Sequence, residues 1–551
     1  MRSILLAAAP CAAFFVCTAA VAQETAPEQA APFDIFEFRV LGNTTLQPIE
    51  IERLVYPLLG PGKTIADVER ARDALVQAYR ERGYGATFVE IPEQDVVNGL
   101  VRLKVTEGRL DRVHVSGARY FANGRIREAL PSLKRGEVLS FPAFQEDLAA
   151  LNRETRDRSI TPVLRTGRTP GTVDMELKVE DSLPLHGSVD VNDRYTLNTT
   201  RTRAGVNLSY DNLFQKFHSL SLQYQTAPEE PKDARVIAGT YAMPLGSAGR
   251  SLALFAVDTN SDVAAIGTLS VLGAGRIYGA RYIVPMLTGN TRWSHSFVGG
   301  LDFKDFEERI RLTDGTDVSP IQYVNWSALY SGALRGERSN STFGLSANFG
   351  IRHLANSSGP APIVPPAASD DPALFTPGEF GFKRSGAQPN YFYLRANASH
   401  ERPLWWGTRL ALRLSGQFTT EPLISNEQFS IGGMDSVRGY FESEVLGDRG
   451  LAGTVEIHSP ELARWRTEGL THLDAFLFYD AGIVGIEDPL HSEDPAREQA
   501  SRVNLASFGI GLRFTGMNGL DAALDWAWPL ETTDNVERGD SRLHFQIIYG
   551  F

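Results

Sequence analysis

The chain has 551 residues, of which 42% are hydrophobic and 22% are charged, and its formal net charge is −12. A mean hydropathy of −0.18 excludes a helical membrane protein built from long apolar runs, and the hydrophobic content is too high for a disordered chain. The acidic balance argues against general nucleic-acid binding, so no nucleic-acid partner is predicted.

Residues 1–22 have the pattern of a secretory signal peptide. A basic start precedes the apolar run Ile4–Val16, and Ala20-Val21-Ala22 supplies small residues at the positions that signal peptidase reads. The apolar run is too short to span roughly 30 Å of hydrocarbon. Cleavage before Gln23 would remove both cysteines, Cys11 and Cys17. The mature chain would then have no disulfide, no thiolate metal site and no cysteine nucleophile.

Residues 33–108 predict a small α/β module with the element order strand, helix, helix, strand, strand. Apolar residues recur at helical spacing over 49–59 and 65–82. Gly83 follows the second helix at the position favoured for a C-terminal cap. Strands are predicted at 87–91 and at 100–105, where apolar and charged side chains alternate.

Residues 109–182 repeat this element order, which indicates an internal duplication. The predicted helices cover 123–130 and 142–157, and the closing strands cover 161–165 and 173–179. From Arg109 to Arg168 there are twelve Arg or Lys and seven Asp or Glu, a net of +5 (12 − 7). This excess is either a solvated face or a docking surface for an acidic or extended partner.

Residues 183–551 lack the helical pattern and show alternating segments close to the ten residues of a transmembrane β-strand. Such strands keep the mean hydropathy near zero, because only every second residue faces lipid. A soluble β-sandwich also alternates, but its exposed faces carry more Lys and Glu. Sixteen segments are counted, an even number that suits a closed bacterial barrel. They begin near residues 185, 201, 217, 236, 251, 275, 291, 320, 340, 390, 407, 451, 470, 503, 519 and 541.

The sequence carries no enzymatic signature. It has no G-x-S-x-G, H-E-x-x-H, Walker loop or dinucleotide fingerprint, and its ten histidines do not cluster at metal-ligand spacing. No catalytic residue, cofactor or metal site is predicted, and the protein is not expected to be an enzyme.

Two motifs carry a resemblance to a known family. Residues 427–440 read EQFSIGGMDSVRGY and resemble the loop-six motif of the outer-membrane-protein-85 superfamily, with its core at Val437-Arg438-Gly439-Tyr440. The run Phe478-Tyr479-Asp480-Ala481-Gly482 is similar to the F-x-D-x-G motif of the thirteenth barrel strand. Within the superfamily the chain looks like the two-partner secretion transporters, the haemolysin and filamentous haemagglutinin secretion/activation proteins.

This resemblance implies two α/β POTRA domains, at 33–108 and 109–182, followed by a 16-stranded antiparallel transmembrane β-barrel at 183–551. Loop six would cover about 420–450. The implied location is the outer membrane, with the POTRA domains in the periplasm. The implied partners are a secreted exoprotein with an N-terminal secretion domain, outer-membrane lipid, and the barrel assembly machinery during biogenesis.

The implied function is secretion of the unfolded exoprotein to the cell surface. An assembly or insertion factor of the same superfamily is the alternative, and two POTRA domains rather than three or five favour secretion. Well-known members also carry an N-terminal helix that plugs the pore. The linker at residues 23–32 is too short for such a helix, so no helical plug is expected.

The two motifs also predict a contact. Alternation along the thirteenth strand places Asp480 on the lumen side together with Phe478 and Gly482, and a buried anion needs a partner. Arg438 lies in a Gly-flanked loop long enough to fold back into the barrel, and a guanidinium binds a carboxylate with two hydrogen bonds. We therefore expect an Arg438–Asp480 ion pair; the alternative is two solvated charges.

Overall fold

The computed structural model describes residues 32–197, 199–246, 249–261, 263–266, 269–286, 292–312, 315–352, 380–462, 470–489, 499–516 and 519–551. The predicted signal peptide, the linker up to residue 31 and the Pro-rich stretch 360–377, expected to be an external loop, lie outside these residues. The described chain forms two compact units. One holds the chain up to Ala118 with Ile126–Glu180, and the other holds Arg119–Arg125 with Asp181–Phe551.

The first module has the predicted element order, with an added two-stranded pair. Its main sheet has the strand order β2-β5-β4, with β2 parallel to β5, and β1 pairs with β3. The predicted helix 49–59 was too long: it ends at Val55 and gives way to a 3₁₀ turn, because Pro57 lacks the N–H that the next helical bond needs. The elements are β1 (Phe33–Ile35), β2 (Glu37–Leu41), α1 (Pro48–Val55), β3 (Gly60–Lys63), α2 (Ile65–Glu81), β4 (Phe88–Glu90) and β5 (Leu100–Thr106).

The second module repeats that sheet, with the order β6-β8-β7 and β6 parallel to β8. The predicted helix 142–157 was also too long: it ends at Arg153, and residues 154–157 connect it to the strand that begins at Arg158. The elements are β6 (Arg109–Ser116), α3 (Asn123–Glu128), α4 (Phe141–Arg153), β7 (Arg158–Thr166) and β8 (Thr172–Asp181).

The turn after the first sheet strand is the same in both modules. Gly42 and Gly117 each have φ of +87°, and a Cβ on either would lie 2.3 Å from a strand carbonyl, that of Val105 or Val179. Only glycine fits such a position without strain. This equivalence supports the predicted duplication.

In the first module, Glu107 binds the turn that follows Gly42. Its carboxylate accepts hydrogen bonds from the backbone N–H of Thr44 at 2.8 Å and of Thr45 at 2.9 Å, and from the Tyr79 hydroxyl at 3.2 Å. Burial raises the pKa of Glu107, but the hydrogen bonds from Thr44 and Thr45 outweigh burial and leave the pKa below its ordinary value. The carboxylate is therefore held ionised inside the module.

The second unit contains the predicted closed barrel of sixteen antiparallel strands, in which the last strand pairs with the first. Every strand except the eighth begins within two residues of its predicted start. The eighth begins at Gly315 rather than near 320, because it continues the long hairpin with the seventh. The barrel strands are β9 (Leu185–Asn192), β10 (Arg203–Leu213), β11 (His218–Thr226), β12 (Arg235–Leu245), β13 (Arg250–Thr259), β16 (Gly275–Met286), β17 (Trp293–Leu312), β18 (Gly315–Arg335), β19 (Asn340–Gly350), β20 (Phe392–Pro403), β21 (Arg409–Phe418), β24 (Arg449–His458), β25 (Leu470–Gly485), β26 (Arg502–Gly516), β27 (Leu520–Pro529) and β28 (Arg542–Gly550).

Three further elements lie in the connections between barrel strands. The hairpins are β14 (Val263–Ile266) with β15 (Leu269–Leu272), and β22 (Phe429–Ile431) with β23 (Val445–Gly447). A one-turn helix, α5 (Phe380–Lys383), precedes β20. The two long connections, 351–391 and 419–448, follow the ninth and eleventh barrel strands.

Alternation along β25 follows the predicted pattern. Leu477 and Tyr479 point outward, with 63% and 48% of their surface exposed, while Phe478 and Asp480 are buried at 4% and 0%. Among the described residues no helix is long and apolar enough to cross a membrane.

Candidate functional site: loop six inside the barrel

Loop six, residues 419–448, connects β21 to β24 and folds back into the barrel. A 3₁₀ turn at Ser425–Glu427 leads into the β22–β23 hairpin. The hairpin and the connection between its two strands, residues 432–444, pack on the inner face of the barrel in one apolar cluster. The cluster includes loop residues Ile431, Val437 and Tyr440 and wall residues Ala452, Val484 and Leu505.

The structure brings Arg438 and Asp480 together. Arg438 Nε donates to Asp480 Oδ2 at 2.8 Å, and Nη2 donates to Oδ1 at 2.9 Å. The backbone N–H of Arg438 also donates to Oδ2, at 3.1 Å. Only 1% of Arg438 and none of Asp480 is exposed. Because this pair has two parallel hydrogen bonds and is buried away from water, it fixes both the position and the orientation of the loop.

Two more carboxylates, which sequence reasoning missed, surround the same guanidinium. Arg438 Nη1 lies 3.0 Å from Glu456 Oε1 on β24 and 3.2 Å from Asp525 Oδ2 on β27. Each carboxylate has a second cation: Arg413 lies 2.7 Å from Glu456, and Arg513 lies 2.5 Å from Asp525. Three guanidinium groups thus balance three carboxylates, as buried charges require. The available signal was alternation, which puts both acids on inward positions of their strands.

Phe478 provides the apolar side of the Arg438 pocket. The guanidinium carbon lies 3.5 Å from the centre of the Phe478 ring. A cation over an aromatic face is attracted by the ring quadrupole, more strongly where water is excluded. Phe478 therefore contributes directly to holding loop six, beyond its place in the motif.

The remaining motif residues also converge on the loop. A Cβ on Gly482 would lie 3.1 Å from Val437 Cγ2, so glycine lets the loop approach β25 closely. Gly439 has φ of +92°, and its N–H donates to His544 Nε2 at 3.0 Å. The Tyr440 hydroxyl lies 2.9 Å from the carbonyl oxygen of Glu531. All seven residues that the motifs singled out are thus in one contact region.

These features together define a class of protein: an outer-membrane β-barrel of the outer-membrane-protein-85 type, with α/β modules ahead of the barrel and an ion-paired loop inside it. The family described as haemolysin secretion/activation protein ShlB/FhaC/HecB matches residues 171–514. The ShlB-type POTRA domain matches residues 33–108. The chain belongs to the haemolysin secretion/activation protein family.

Curated relatives and solved structures agree with this assignment. The outer membrane transporter CdiB of Escherichia coli O6:K15:H31 (strain 536) is 23% identical over 425 residues, which are 76% of this chain and 67% of the relative. The CdiB transporter of Dickeya dadantii (strain 3937) is 22% identical over 431 residues, 77% of this chain and 71% of the relative.

Two solved structures have the same fold. CdiB from Escherichia coli has a TM-score of 0.58 at 19% identity and covers 97% of this chain and 93% of its own. BamA from Haemophilus ducreyi lacking POTRA domains 1–3 has a TM-score of 0.56 at 15% identity and covers 94% of this chain and 100% of its own.

The protein is thus an outer-membrane two-partner secretion transporter with its POTRA domains in the periplasm. Family membership favours secretion over the assembly-factor alternative. The family is one of secretion transporters rather than of known enzymes.

Proposed function

We propose that the periplasmic modules capture an unfolded exoprotein through its N-terminal secretion domain, and that loop six closes the barrel until this partner displaces it. The observation that carries the proposal is the position of Arg438, which is buried in the lumen against three carboxylates from the wall. A loop held this way obstructs the barrel, and an exoprotein needs the space that it occupies.

Capture by the modules uses their sheet edges. The sheets have the orders β2-β5-β4 and β6-β8-β7, so each has two edge strands, and an isolated bridge between Arg109 and Val138 covers the start of β6. An extended peptide binds such an edge through main-chain hydrogen bonds, which do not depend on a particular partner sequence.

Two basic residues of the second module are already paired with acids, which favours docking at a sheet edge over docking at a basic patch. On its open sheet face Arg112 pairs with Asp174 at 2.8 Å and Arg165 pairs with Glu176 at 2.5 Å. Charges that are already paired offer little to an acidic partner unless the partner displaces them.

The outer face of the barrel suits lipid, and its last strand suits recognition during assembly. Outward residues such as Leu477 and Ile510 are apolar and exposed, as contact with hydrocarbon requires. Tyr549 and Phe551 are also exposed, at 45% and 61%. We infer that the barrel assembly machinery recognises the exposed aromatic residues at this end of β28.

We also infer that folding of the exoprotein outside the cell drives its export.

The test is single-channel recording of the purified protein in planar bilayers, with Arg438→Ala compared with wild type. We expect larger or more frequent openings in the variant, because the loop has lost its buried anchor. Arg281→Ala is the matched control: Arg281 binds Asp302 through two hydrogen bonds, of 2.5 and 2.9 Å, on the same lumen wall, without touching loop six. Identical recordings for wild type and Arg438→Ala would contradict the gate.

A further inference from the structure

A separate set of contacts holds loop six at its base, where the loop leaves and rejoins the barrel wall. We propose that loop six has two independent anchors, and that Glu427 and Arg384 are the positioning residues of the second, which we call the base clamp. This inference rests on the gating role proposed above for the loop. The base clamp would keep the loop attached when the Arg438 contacts are broken.

Glu427 is the loop's contribution to the base clamp. It is 2% exposed and is bound by side chains from three barrel strands. Lys304 Nζ on β17 lies 2.5 Å from Oε1, and the Tyr393 hydroxyl on β20 donates to Oε2 at 2.7 Å. The Tyr323 hydroxyl on β18 donates to Oε1 as well. One loop carboxylate thereby joins the loop to a wide part of the wall.

Arg384 binds the other end of the loop. It follows α5, in the connection between β19 and β20, so it belongs to neither loop six nor a barrel strand. Its guanidinium pairs with both oxygens of Asp448, with Nη2 at 2.7 Å from Oδ2. It also donates to the carbonyl oxygens of Leu423 at 2.6 Å and Glu487 at 2.7 Å.

Asp448 is fully buried, and both of its carboxylate oxygens accept hydrogen bonds within the base clamp. It accepts hydrogen bonds from the backbone N–H of Leu423 at 2.9 Å and of Glu487 at 2.7 Å, besides the pair with Arg384. Gln417 ties the two halves together, since its side-chain amide donates to the carbonyls of Glu427 at 2.9 Å and Asp448 at 3.0 Å.

The base clamp lies in an apolar setting that strengthens it. Leu423 and Ile424 of the loop base are buried in one cluster with wall and connection residues. Low dielectric strengthens a satisfied polar network, and it makes an unsatisfied one costly. The cluster also includes Ile321, Tyr323, Phe380, Tyr391 and Tyr393.

The two anchors use different parts of the wall. The Arg438 contacts come from β24, β25 and β27, while the base clamp uses β17, β18, β20 and the segment after α5. No side chain takes part in both sets of ionic contacts. Breaking the Arg438 contacts should therefore free the tip of the loop and leave its base in place.

The experiment measures thiol labelling at two positions of the loop in the full-length protein. Both cysteines of the chain lie within the first 22 residues, so an introduced cysteine would be the sole thiol once the predicted signal is removed. Ser425→Cys reports the base and Ser436→Cys reports the tip. A small maleimide is applied to barrels whose folding is verified by heat-modifiable gel mobility.

We expect Arg384→Ala and Glu427→Gln to raise the labelling rate at Ser425→Cys by about tenfold or more, because each breaks a buried pair. Arg438→Ala should raise labelling at Ser436→Cys and leave Ser425→Cys near the wild-type rate. Arg384→Lys should restore part of the protection, since it keeps the charge and loses the two-pronged bond. Arg112→Ala, which breaks the pair with Asp174 in the second module, should change neither rate.

Tyr393→Phe provides a milder variant should the charge changes prevent folding. It removes one hydrogen bond to Glu427 and should raise labelling at Ser425→Cys only modestly. Unchanged labelling at Ser425→Cys in all base variants would overturn the base clamp, as would equal release of both reporters by Arg438→Ala. Loss of the gating role itself would be seen separately, as unaltered conductance in Arg438→Ala.

Discussion

Arg438 of loop six and Asp480 of β25 form a two-pronged pair in which neither side chain is more than 1% exposed. Asp480 is fixed in a strand paired on both sides, with Thr454 and Ser507 opposite it, so the loop is the member that can move. Breaking a buried pair by removing one partner costs about 3–5 kcal/mol, because the other charge is left uncompensated.

The effects of removing the two partners should differ. Arg438→Ala leaves buried Asp480 without its cation, although Arg413 and Arg513 still bind Glu456 and Asp525. Asp480→Asn leaves Arg438 paired with Glu456 and Asp525. We therefore expect Asp480→Asn to increase channel opening less than Arg438→Ala, and the double variant to resemble Arg438→Ala alone. Planar-bilayer recordings of the four proteins measure this. A larger effect of Asp480→Asn would mean that the two neighbouring acids do not support Arg438.

Phe478→Leu should weaken the loop without altering any charge. The ring lies 3.5 Å from the guanidinium carbon, and a desolvated cation–π contact contributes roughly 2 kcal/mol. We expect opening intermediate between wild type and Arg438→Ala. Phe476→Leu is the control for lost packing on the same strand: its ring lies 5.8 Å from Arg438 and contacts Arg513 instead, at 4.5 Å. Equal effects of the two substitutions would point to general packing instead.

Much of the architecture was predictable because alternation survives in the sequence. The sixteen strands were located because their outward positions are apolar, although some inward positions, such as Phe478 and Tyr323, are also large and apolar. The modules were located because α2 has a clear helical period. The errors were at two helix ends and at the start of the eighth barrel strand. Pro57 shortened one predicted helix, the other ended at Arg153 instead of 157, and β18 began five residues early.

The site was predictable only as far as its two motifs. Arg438 and Asp480 lie 42 positions apart in recognisable runs, so their pairing could be argued. Glu456, Asp525, Arg384 and Glu427 are single charges whose role depends on which strands are neighbours and how far each strand is shifted. Register across a barrel is set by many pairings at once, and a sequence read one segment at a time does not supply it.

Acid should destabilise the first module through Glu107. Its pKa in the folded state is lowered from 4.5 by the hydrogen bonds described above, which outweigh the effect of burial. Its stabilising contribution is therefore complete above the unfolded pKa and is lost as the pH falls through the lower folded value. Glu107→Gln should lower stability at pH 7 by roughly 1–3 kcal/mol and flatten the decline below pH 4.5.

Pulse proteolysis of the full-length protein in urea, at pH 7 and at acid pH, measures the stability of the periplasmic modules and how it changes with pH. Glu90→Gln serves as the control, because Glu90 is exposed and its only described ion pair, with Lys104, is long at 3.9 Å. A Glu107→Gln module with the wild-type urea midpoint at pH 7 would show that the turn does not need the charge.

Gly83 should be irreplaceable at the junction of the two modules. It has φ of +83°, and a Cβ there would lie 2.2 Å from Cδ of Pro142, the second residue of α4. The backbone N–H of Phe141, the first residue of α4, donates to the Gly83 carbonyl at 2.9 Å. Gly136 has the same φ of +83°, with no atom within 4 Å of its Cβ position. Gly136→Ala therefore measures the backbone strain alone, about 1 kcal/mol. Gly83→Ala adds the clash and should cost roughly 1–3 kcal/mol more. The difference in urea midpoint between the two variants reports that clash, and equal midpoints would mean that Pro142 and α4 shift away freely.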